Sequence, residues 1–134
     1  MPVLTSPFHI PDKTLLLLKD KIGPETLNAL NEFAADLKKI DNIPDALSES
    51  FHGRPEVLTK MFYDAYKDLS VSFTTLLDNI CNDRYEKVKG DIIQLSGHSN
   101  AFLDDFGCVY EKTVRKNIRS VMLALNGSVT GPEL

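Results

Sequence analysis

The sequence predicts an all-α fold, and three observations carry that prediction. Apolar residues recur at spacings of three and four through most of the chain, the period of a helix with one buried face. No segment alternates apolar and polar residues between turn dipeptides, as half-buried strands would. Pro11, Gly23, Pro24, Pro44, Pro55 and Gly127 punctuate the periodic stretches. We expect one domain of five to seven amphipathic helices, with residues 1–10 and 127–134 as loose termini.

Asp12 after Pro11 reads as the N-cap of a first helix that carries Leu15, Leu16, Leu17 and Leu18 and stops at a left-handed Gly23. Pro24 suits the first turn of a second helix, in which Leu27, Leu30, Phe33, Ala34, Leu37 and Ile40 share one face until Asn42 and Pro44 end it. Residues 45–51 suit a short helix, followed by a turn at His52, Gly53, Arg54 and Pro55. From Pro55 onward Leu58, Met61, Phe62, Ala65, Leu69, Phe73, Leu76 and Ile80 keep one face for about seven helical turns. The phase continues through Tyr85, Val88, Ile92 and Leu95, and Asn79, Asn82 and Asp83 favour a break between the two runs. Gly97 opens an expected interruption with Ser99 and Asn100 as caps. A last helix is then expected to carry Phe102, Phe106, Tyr110, Val114, Ile118, Val121 and Leu125.

The chain has 134 residues, 43% of them hydrophobic and 25% charged, a size and balance that support a core without metal or disulfide staples. No apolar run approaches the ~20 residues of a spanning helix. Met1-Pro2-Val3-Leu4 lacks the basic start and long apolar stretch of a secretory signal. A cytoplasmic protein is therefore expected if the chain is complete, and a secreted one if a signal has been removed. Asn126-Gly127-Ser128 matches a glycosylation acceptor, a short motif that chance also supplies. The net charge of -4 argues against a nucleic-acid partner. Cys81 and Cys108 can form at most one bridge, and two free thiols are the expected state.

Little in this inventory suggests catalysis. His9, His52 and His98 lack the helical spacing of zinc ligands, and Asp104-Asp105 fits a first helical turn better than a metal site. Ser96-Gly97-His98-Ser99 lacks the frame and the strand of a nucleophile elbow. No catalytic residue, metal ligand or cofactor is expected. Lys112, Arg115, Lys116 and Arg119 form one basic stripe, suited to a solvated face or to transient contact with an anionic membrane. Four consecutive leucines cover most of a helix circumference, so another helix, a partner or a lipid must cover the far side of residues 15–18.

The stretch Leu30-Asn-Glu-Phe-Ala-Ala-Asp-Leu-Lys-Lys-Ile40, then Ala46-Leu47, then Arg54-Pro55-Glu56-Val57-Leu58-Thr59-Lys60 resembles the nematode fatty-acid- and retinol-binding proteins. The likeness runs over residues 23–95 and rests on degenerate helical patterns, with Arg54 where the family often has Ser. Family members usually carry a signal peptide and a longer C-terminus. The resemblance implies a non-enzymatic transport protein, with helices wrapped around one or more apolar cavities that hold fatty acids and, in many members, retinol; a monomer is expected. Burying an acyl tail of about 16 carbons at ~0.8 kcal/mol per CH₂ gives roughly 12 kcal/mol before ordering costs.

A carrier of this kind needs an apolar lining and a polar group at its mouth. The expected lining is Phe33, Leu37, Ile40, Leu47, Phe51, Leu58, Met61, Phe62, Leu69, Phe73, Leu76, Ile92 and Phe102. Lys60, Arg84 and Arg115 are the candidates for holding the carboxylate. Residues 15–18 would form a mobile lid. The alternative is a helical protein-protein interaction module with a filled core, meeting its partner through the first helix or the basic stripe.

Overall fold

Five helices account for nearly all of the described chain: α1 (Asp12–Lys21), α2 (Pro24–Lys39), α3 (Pro55–Cys81), α4 (Tyr85–Phe106) and α5 (Glu111–Ser128). The computed structural model describes residues 8–40, 55–107 and 111–128, and no strand occurs among them. Among the described residues no helix is long and apolar enough to cross a membrane.

The helix ends follow local chemistry, with several departures from the sequence reading. Asp12 is the first helical residue of α1 and its N-cap is Pro11, whose carbonyl accepts from Leu15 N at 2.9 Å. Gly23 is extended (φ -71°) rather than left-handed, and it caps α2 just ahead of Pro24. The expected break after α3 is present. Asp83 turns the chain with φ 60°, and Asn82 folds its amide back onto the Asp78 carbonyl at 2.8 Å.

The expected interruption at residues 97–100 is absent, because α4 runs unbroken to Phe106. A Cβ at Gly97 would meet open space, so this position faces outward. Glycine there costs about 1 kcal/mol against Ala, less than breaking the stripe of Val88, Ile92, Leu95, Phe102 and Phe106 would cost. Ser99 is not a cap but lies within that buried stripe, its hydroxyl without a hydrogen-bond partner among the described residues. The stop is Gly107, left-handed at φ 54°, whose N–H donates to Leu103 O at 2.9 Å. Phe102 and Phe106 therefore end α4 instead of starting the last helix. Asp104 and Asp105 fall in a last turn, where the helix dipole disfavours carboxylates.

The helices form two antiparallel pairs. In the α3–α4 pair, Ser72 Oγ and His98 Nδ1 share a hydrogen bond of 2.6 Å, and Asn79 Nδ2 donates to Asp91 Oδ2 at 2.6 Å. The second rung lies seven positions from the first on both helices, in opposite directions, so both rungs sit on one flank of the pair. In the α2–α5 pair, Thr26 Oγ1 donates to Ala124 O at 3.2 Å. Asn117 Nδ2 donates to Asp36 Oδ2 and, at 3.4 Å, to Glu32 O. Lys39 lies 3.4 Å from the other Asp36 oxygen, so this buried carboxylate is held on both sides.

The pairs stack as two layers with a wide seam. No Cα of α2 comes within 8 Å of α3 or α4; between the layers only α4 and α5 approach that closely. Phenylalanine side chains span the rest, with Phe33 of α2 stacked on Phe73 of α3 at 6.0 Å between ring centroids. Phe62 meets Phe102 at 5.2 Å and Phe106 at 5.4 Å across the α3–α4 pair. The α2–α3 edge is closed by residues 8–22, since α1 contacts both of those helices. The N-terminal segment, expected to be loose through residue 10, is anchored there. Phe8 and Ile10 are buried, and Phe8 packs edge-on against Tyr66 at 5.2 Å and Phe73 at 5.9 Å.

Candidate functional site

The four leucines of α1 divide by direction. Leu18 is fully buried and Leu15 partly so, whereas Leu16 and Leu17 are 64% and 48% exposed. A ten-residue helix that inserts mainly Leu18, with Ile22 just beyond its end, is attached by a narrow stripe. A cleft flanks it on each side. Against α3 the cleft is about 390 Å³ and is lined by His9, Pro11, Thr14, Leu17, Thr74, Leu77, Asp78, Cys81 and Asn82. Against α2 a smaller cleft of about 260 Å³ lies between Phe8, Ile10, Leu15 and the Asn31, Ala34, Ala35 and Lys38 face of α2. The larger one falls in the lower part of the range of small-molecule sites, ~300–1,000 Å³.

The sequence-predicted lining is placed elsewhere. Phe33, Leu37, Ile40, Phe62, Leu69, Phe73, Leu76, Ile92 and Phe102 are all buried in one continuous core and border neither cleft. They pack together in the core between the helix layers. Met61 departs from the lining reading, since it is 51% exposed on the outer face of α3. Its neighbour Phe62 takes the inward position, and residues adjacent on a helix point about 100° apart. Leu47 and Phe51 lie outside the described residues, as does the side chain of Leu58.

The three basic candidates have occupied side chains. Lys60 is exposed and lies 3.7 Å from Asp64, one turn along α3. Arg115 donates to Glu111 at 3.0 Å and also to Asn100 and Asp104, tying α5 to the end of α4 and leaving the basic stripe one residue narrower. Its bonds with Glu111 and Asp104 raise its already high pKa and offset the dipole at Asp104. Arg84 alone lies near a cleft, 3.6 Å from the lining residue Asp78. The sequence reading weighed His9 only as a metal ligand and passed over Thr14 and Lys38. Lys38 and Lys39 ending α2 read as ordinary complements to a helix dipole, and only the packing of residues 8–15 beside Ala34 and Ala35 turns Lys38 into a cleft residue.

Electrostatics fasten the far end of α1. Lys21 Nζ donates to both carboxylate oxygens of Asp83, at 2.6 and 2.8 Å. That bond holds the Asp83 carboxyl below its ordinary range and raises Lys21. Burial chiefly, and then Asp83, push the Tyr85 phenol up. Burial also pushes up the thiol of Cys81 beside the larger cleft, which keeps it protonated and weakly nucleophilic. A depressed carboxylate contributes above its unfolded pKa and loses that contribution as the pH falls through its folded value. Asp83→Asn keeps a residue that tolerates the left-handed backbone and removes the charge. Amide exchange in α1 is then expected to accelerate at neutral pH while the centres of α3 and α4 stay protected. Acidification below the ordinary carboxylate range should remove the difference between variant and wild type.

No family model, curated protein or solved structure matches this chain. Among the described residues no group of three or more His, Cys, Asp or Glu side chains is arranged to hold a metal ion.

Proposed function

We propose that the protein is a non-enzymatic carrier of fatty acids and related apolar ligands such as retinol, with α1 as its lid. One observation carries this reading. No Cα of α2 lies within 8 Å of a Cα of α3, and their shared edge is closed by a short helix with a cleft on either side. An acyl chain entering beneath α1 would take the place of Phe8 and run along the apolar seam beside Phe33 and Phe73. Lys38 at the mouth of the smaller cleft, or Arg84 by the larger, would meet the carboxylate. The resemblance of residues 23–95 to nematode fatty-acid- and retinol-binding proteins supports the same reading, and a monomer is expected.

The chain contains no tryptophan, so Leu17→Trp places a single reporter on the lid. Oleate is expected to change its emission saturably, with retinol competing and methyl oleate binding more weakly for want of a charged head. A flat titration, with native mass spectrometry showing no bound lipid, would overturn the carrier. A second reading, the helical interaction module, is favoured by the continuous buried core between the layers and would then take its place.

A further inference from the structure

We infer that the outer face of α5 is a docking surface for anionic lipid membranes, independently of what the cleft binds. Lys112, Lys116 and Arg119 are all exposed and fall at i, i+4 and i+7, with Leu123 four residues further on the same line. Leu123 is 68% exposed, the most open of the large apolar side chains among the described residues. The buried face of the helix is occupied by Val114, Asn117, Ile118, Val121 and Leu125, so the stripe points away from the bundle.

Charge decides what kind of partner fits. The chain as a whole carries -4, yet the three cations of this face pair with no acidic side chain among the described residues. Glu111, the acid on the same helix, is engaged by Arg115, which lies off the stripe. Thr113 and Ser120 flank the line on one side and carry no charge. A straight row of cations ending in an exposed leucine matches a flat anionic surface, with the cations at phosphate level and Leu123 in the acyl boundary. The acidic remainder would be repelled, so the protein would dock in one orientation. Because α5 packs on α2 and α4, the α1 lid would stay free when α5 is docked.

The test is co-sedimentation of the full chain with vesicles of phosphatidylcholine and about one-third phosphatidylserine, against phosphatidylcholine alone. Saturable binding to the anionic vesicles only, weakening as salt is raised, is expected. Replacing Lys112, Lys116 and Arg119 by Gln should weaken it about 100-fold, from roughly fivefold per charge. Leu123→Ser should weaken it about tenfold. Replacing the exposed Lys67, Lys87 and Lys89 by Gln changes net charge equally and should have a much smaller effect. Equal losses in the two triple variants would overturn the docking face and leave only a net-charge effect. Absence of binding to the anionic vesicles, or capture by polyglutamate without capture by vesicles, would overturn it as well.

Discussion

Phe62→Ala is expected to cost about 3–5 kcal/mol of folding stability, the range for removing a buried aromatic ring from a core that relaxes only in part. The Phe62 ring is 1% exposed and lies among Tyr63, Tyr66, Phe102 and Phe106, with centroid separations of 5.2 to 5.7 Å. Losing it therefore removes transfer energy and several aromatic contacts together. Against a total of about 5–15 kcal/mol for a domain, the variant would sit near the folding threshold at room temperature. Chemical denaturation should show a large fall in midpoint with an unchanged slope. Met61→Ala is the control, because Met61 is half exposed and the expected change is within about 0.5 kcal/mol. Comparable losses in both would mean that α3 is rotated from the orientation described.

Phe8→Ala separates a plug from a core residue. Phe8 is wholly buried, so its truncation costs stability, expected at about 3 kcal/mol because the site is lined by rings that cannot fully collapse. If an acyl chain takes the place of Phe8, the empty position also removes a competitor for the site. Apparent affinity rises in proportion to the fraction of molecules with the site open. Oleate binding is then expected to tighten about tenfold while the melting temperature falls, and oleate should restore part of the lost stability through linkage. Weaker binding in step with weaker folding would mark Phe8 as ordinary core and remove the route beneath α1.

The all-helical class was legible because burial imposes a period of three and four on each helix, and that period survives in the string. The starts of α2 and α3 were also legible, because Pro24 and Pro55 act through their own rings. The end of α4 was not. Gly97 and Gly107 look alike as letters, and what separates them is that one faces outward in a continuing helix while the other adopts a positive φ. The candidate site was legible only in part. Leu17 belongs to the segment named as a lid, whereas Phe8 and Lys38 had no local signal. Nine of the thirteen apolar residues named as lining converge on one core, but a list of inward positions cannot distinguish side chains that fill a space from side chains that surround one.

Composition and periodicity alone specify an all-α chain with a stripe of cations on its last helix and a first helix too leucine-rich for one buried face. These are local properties, dictated by the 3.6-residue repeat and by the solvation of charge. Packing decided that Leu18 enters the core while Leu16 and Leu17 stay outside it, that Arg115 leaves the stripe for Asp104, and that Phe8 closes the α2–α3 edge. Each depends on which distant side chains arrive at the same place, and that depends on how the two helix pairs stack rather than on any residue's neighbours in sequence.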